Sequence, residues 1–217
     1  MRFKHLAETS AAALILLAIL AWPANADPLT PCEVHQRQLL RVALSVAIGE
    51  IAVDPSAIAR VVDQLWAPDG IDIDWIDETR AAKQGRLNAW VVVGRKTAES
   101  ANVPALDPNL ARRIVWISAD EVVGRFEQTL SVEMHVPRES ARHLMFGGGH
   151  LIERALGYAI AHRLGHSVMG LPHAASGLMS ADYNSTPVFT AVSAANLDAE
   201  GRKLLEKRFG VGCAATR

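Results

Sequence analysis

The stretch Ala161 to Ser180, AHRLGHSVMGLPHAASGLMS, decides how this chain is read. A helical pattern runs into it, because Leu151, Ala155, Tyr158, Ala159, His162 and His166 follow spacings of three and four. His162 and His166 therefore emerge on one helix face, a single turn apart, where two rings can ligate one ion. Gly170, Leu171 and Pro172 then break the helix and can swing His173 back toward the same point. Three neutral imidazoles would meet there and leave a fourth position open. Such a donor set suits Zn²⁺ first, with other divalent transition metals as alternatives. A lone histidine pair is commonly structural. The ordered run of features is what points to a metal.

That order, two histidines on a helix, a helix-ending glycine, a third histidine and then Gly177-Leu178-Met179, resembles the metzincin zinc peptidases. Their signature is H-E-x-x-H-x-x-G-x-x-H followed by a methionine turn. The resemblance implies an α/β (α+β) fold: a mixed twisted sheet, a long active-site helix and a C-terminal helix. By matching position it makes His162, His166 and His173 the ligands of one zinc ion and puts Met179 beneath the metal. Without the resemblance Met179 reads as an ordinary core residue. Tyr183 stands at the wrong distance from Met179 to match the extra tyrosine ligand of some members.

Two departures matter more than the matches. Met169 occupies the family's glycine position and Gly170 follows it, so His173 is also displaced by one residue and the turn must absorb the addition. The second departure is chemical. The family's glutamate after the first histidine is the general base, and here that position is Arg163. A guanidinium stays protonated and offers donors only. Losing a general base removes about 10² to 10⁴ in rate. Glu153, nine residues before His162, lies about 13 Å away along the helix axis and cannot replace it. Arg163 reads either as a partner for a substrate carboxylate or as a solvated surface residue.

Upstream, Leu39 to Ile48 reads as a strand, and Asp54-Pro55 starts a helix running to about Trp66. Pro68-Asp69-Gly70 turns the chain into Ile71, Ile73 and Trp75, which alternate with Asp72 and Asp74 as in a half-buried strand. Those acids lack the glycine placement and distant glutamate of a calcium loop, and read as a solvated face. Ala89 to Val93 and Arg113 to Ile117 read as further strands, and Asn196 to Arg208 as a surface helix. Between Asp120 and Gly147 no element is assigned. Gly147-Gly148-Gly149 lacks the Lys-Ser/Thr of a phosphate loop and reads as a flexible lead-in to the helix.

At the N-terminus, Arg2 and Lys4 precede the apolar run Ala11 to Trp22 and the small-residue site Ala24-Asn25-Ala26, the pattern of a cleavable secretory signal over residues 1–26. The run covers only about 18 Å of a bilayer core about 30 Å thick. Residues 27–217 then form one domain, secreted or periplasmic, with no membrane anchor after cleavage. Export favours a disulfide between Cys32 and Cys213. With 22 basic against 23 acidic residues and no basic cluster, nucleic acid is not expected as a partner. His35, His135, His143 and His150 have no motif partner, and G-x-S-x-G, C-x-x-C and Walker patterns are absent.

The expectation is a metzincin-like pseudoenzyme that keeps a three-histidine zinc site and binds a peptide or protein in its cleft more than it cuts one. The alternatives are an active zinc metallopeptidase using another base and a metal-free binding scaffold.

Overall fold

The computed structural model describes residues 37–49, 52–77, 87–95, 114–147, 150–181 and 196–211. All of these lie in one compact unit, Glu33–Arg217. The signal segment, Tyr183 and both cysteines, Cys32 and Cys213, fall outside the described residues.

The first strand, β1 (Gln38–Ala47), sends Leu40, Val42, Leu44 and Val46 to one side, the alternation that the period of two demands. Helix α1 (Pro55–Trp66) starts where expected: the Asp54 side chain accepts the Ser56 N–H at 2.8 Å and Pro55 occupies the first turn. A short 3₁₀ turn, Ala67–Asp69, ends on Gly70 at φ 77°, and the chain reverses into β2 (Ile71–Ile76). Strands β3 (Ala89–Gly94) and β4 (Ile114–Ser118) complete a four-stranded sheet of order β2-β1-β3-β4. All described pairings are parallel, with Val42 opposite Trp75 on one side and Ala89 on the other. The fold class is thus α/β, and the antiparallel part of a mixed sheet is not among the described strands.

One sheet face carries the main core. Leu40, Val42, Val91, Val93, Val115 and Ile117 pack there against the helices. The opposite face gathers Ala43, Ile76, Leu87, Trp90 and Val92, and Trp90 donates its indole N–H to Ser45. Toward its β2 edge that face is polar: Asp72 pairs with Arg37 at 2.6 Å and Asp74 with Arg41 at 3.5 Å, all four half-exposed. The acidic alternation is the solvated face that the sequence implies.

The unassigned stretch folds into α2 (Ala119–Glu133) and α3 (Arg138–Phe146). Ala119, Val122, Val123, Phe126 and Leu130 form the buried stripe of α2. Helix α4 (Leu151–Ser167) is the centre of the layer, buried on nearly every side from Ile152 to Gly165. It crosses α1 so closely that a Cβ at Gly157 would strike Val61. The last helix, α5 (Ala199–Phe209), is tied down by Arg202, which donates to the buried Asp69 carboxylate at 2.9 Å. No helix of the described residues is long and apolar enough to cross a membrane.

Candidate metal centre

His162 and His166 occupy the last two turns of α4, and the chain beyond turns sharply before His173. Val168 and Met169 both direct their N–H groups to the Leu164 carbonyl, and Leu171 N–H reaches back six residues to Gly165 at 2.9 Å. The final turn is therefore wider than an ordinary α-turn. Gly170 takes the left-handed conformation at φ 67° that this widening needs. The added residue is Met169, and its side chain is buried in the core. The longer turn still delivers the ring: one ligand nitrogen from each of His162, His166 and His173 lies within 4.8 Å of the others.

The orientation of the rings is set by two backbone carbonyls. His162 Nδ1 lies 2.8 Å from the Leu178 oxygen and His166 Nδ1 lies 2.7 Å from the Leu171 oxygen. A carbonyl only accepts, so each Nδ1 carries the proton and each Nε2 presents a lone pair. Those two Nε2 atoms face each other at 3.0 Å. With both rings neutral in that tautomer, two lone pairs face each other, an arrangement that a cation between them satisfies. The His173 ring completes the cluster with its centroid 4.5 Å from that of His166 and 5.4 Å from that of His162.

These donors fit zinc. Zn–N bonds of about 2.0 to 2.1 Å in a tetrahedron put ligand nitrogens about 3.3 Å apart, close to the His162–His166 separation. Histidine ligands of metals commonly donate their second nitrogen to a carbonyl, as both helical histidines do. Burial holds the His162 pKa below the ordinary imidazole value; the Leu178 carbonyl acts in the opposite sense, and His166, His173 and the Arg163 cation add to the lowering. Near neutral pH the ring is in its ligating, uncharged form. Burial grades outward across the cluster, from buried His162 through half-buried His166 to exposed His173, so the place where they meet is reached from solvent.

Met179 is buried in the turn after His173. Ala174 donates to the Met179 carbonyl at 2.9 Å, and Ala174 and Ser180 form a parallel bridge that closes the turn. Its thioether lies against α4 at Gly165, where any Cβ would collide with the sulfur. Glycine at position 165, between His162 and His166, leaves the space that the Met179 thioether fills. The Tyr158 hydroxyl donates to the Gly177 carbonyl at 3.0 Å and holds the same turn one helical turn before His162.

Arg163 is exposed, and its carbonyl accepts the Ser167 hydroxyl at 2.6 Å. Glu153 is buried at the far end of α4, where its carboxylate accepts the Asp54 N–H at 3.3 Å and faces His150 at 3.7 Å. The residues that sequence reasoning missed are the Leu171 and Leu178 carbonyls, which have no sequence signature. Gly165 had one, a glycine inside a helical pattern.

No family model matches the chain, and no curated protein does. Among solved structures, the crystal structure of archaemetzincin from Methanopyrus kandleri is similar over 77% of this chain and 94% of that one, at 14% identity and a TM-score of 0.41. A likeness so loose leaves the function of the site to its own geometry.

Proposed function

We propose that this chain is an exported, secreted or periplasmic, zinc-binding protein of metallopeptidase type, in which His162, His166 and His173 hold one ion and peptide hydrolysis is weak or absent. The observation that carries the reading is the pair of Nε2 lone pairs facing each other at 3.0 Å while both Nδ1 protons are committed to carbonyls. A zinc ion held there supplies a Lewis acid that polarises a carbonyl and acidifies water.

The chain's own residues restrict the chemistry open to such an ion. Among the described residues the cluster consists of three histidines. The residue next to His162 is a guanidinium, which takes up no proton and instead attracts anionic groups such as a peptide carboxylate. Glu153 is committed at the other end of α4. A peptide or protein segment is thus bound more than it is cut.

Purified protein tests both halves. Stoichiometric zinc, removable by a chelator with a fall in Tm, is the expected result; no zinc content and no uptake at neutral pH would overturn the site. For the chemistry, Arg163→Glu is expected to raise chelator-sensitive peptide hydrolysis by about 10² or more, the scale of a general base. Equal and appreciable cleavage by parent and variant would show that Arg163 costs the site nothing.

A further inference from the structure

We infer that the C-terminal segment Asn196–Arg208, the start of which leads into helix α5, presets the zinc site by bracing both of the turns that orient its histidines, with Arg208 as the positioning residue for the turn that carries Leu171 and His173; this rests on the zinc reading of the three histidines. The two ends of the segment Asn196–Arg208 touch different parts of the centre. At its start, the Asn196 carbonyl accepts the Leu178 N–H at 3.3 Å. The contact is so close that a Cβ on Gly177, at φ 75°, would run into that oxygen. Leu178 is the residue whose own carbonyl fixes His162.

At the other end, Arg208 Nη1 donates to the Met169 carbonyl at 2.9 Å. The guanidinium lies directly over Gly170 and leaves no room there for a Cβ. Gly170 is the left-handed pivot of the widened turn. The next residue, Leu171, supplies the carbonyl that fixes His166, and His173 comes two positions later. Between these ends, the buried Asp69 receives Arg202 at 2.9 Å and anchors α5 to the turn after α1. The segment Asn196–Arg208 thus touches both turns.

The physical consequence is preorganisation. A metal site keeps its affinity when the groups behind its ligands hold them at the bonding geometry before the ion arrives, and loss of such a support typically costs 10- to 100-fold in affinity. The extra residue in this turn makes the need specific. Its widened last turn lacks the tight hydrogen-bond pattern that ends an ordinary helix, and Arg208 donates to a carbonyl of that turn.

The test uses the full chain in its metal-free form, titrated with Zn²⁺ against a chromophoric chelator and separately with Co²⁺ for its visible spectrum. Arg208→Met is expected to weaken zinc binding about tenfold and to change the Co²⁺ bands. The metal-free Tm should match that of Lys207→Met, which removes the same charge from the same exposed helix end. Lys207→Met should bind zinc as the parent does. Arg208→Lys, which still offers a donor to the Met169 carbonyl, should recover most of the affinity. Parent-like zinc affinity in Arg208→Met, or equal losses in Arg208→Met and Lys207→Met, would overturn the role of Arg208 while leaving the zinc site intact. A parent that takes up neither ion would overturn the zinc reading and this inference with it.

Discussion

The region of α2 and α3 and the region of α4 with its following turn contain the same raw materials and use them differently. Each carries two or more histidines and a glycine within a helix. In the first, His135 and His143 are exposed; His135 sits at φ 54° with its Nδ1 3.3 Å from the Glu133 carbonyl of its own turn. Gly124 of α2 has open space where a Cβ would stand. In the second, each helical histidine is pinned through Nδ1 by a carbonyl of a neighbouring turn, and Gly165 is filled by Met179. Residue type is common to both regions. The rings converge only where a second segment folds back to fix them and to pack against the helix at Gly165.

Removing a ligand gives the largest contrast. His166→Ala is expected to lower zinc affinity by more than about 100-fold and to abolish the chelator-dependent drop in Tm, whereas His143→Ala should leave both as in the parent. Equilibrium dialysis with metal analysis reads the first quantity and thermal unfolding the second. If His143→Ala lost zinc as well, the distinction between the two regions would be wrong.

The two glycines should respond with opposite signs. Gly165→Ala drives a methyl into the buried Met179 thioether and is expected to cost about 1–3 kcal/mol in urea unfolding, with a weaker zinc site. Gly124→Ala meets nothing and should stabilise the protein by about 0.5–1 kcal/mol through helix propensity alone. Both variants stabilising would mean that Met179 leaves the groove at little cost.

Much of the architecture was legible because it obeys local rules. The cap at Asp54, the Gly70 turn, the alternation in β2 and the long α4 pattern each depend on residues within a few positions. Helices α2 and α3 were not assigned, although the stripe from Ala119 to Leu130 has helical spacing; Gly124 and the neighbouring β-branched Val122 and Val123 weaken local propensity, and burial against the sheet outweighs it. In the site, the three histidines that the structure brings together were legible from order and spacing. The routes of the Leu171 and Leu178 carbonyls were not, because every residue has a carbonyl and only the folded turns aim these two.

The sequence by itself determined which side chains are available: two imidazoles one helical turn apart, a third after a break, a thioether beyond it and a guanidinium next to the first imidazole. Side-chain chemistry and helix periodicity are local properties, so no tertiary information was required. Only the tertiary structure decided that the lengthened turn still brings His173 to the pair, that both Nδ1 atoms face carbonyls and that the segment Asn196–Arg208 contacts the two turns concerned. Those contacts span five residues for Leu171, sixteen for Leu178 and thirty-nine for Arg208, and they depend on how the turns pack against the core rather than on any local pattern of residue types.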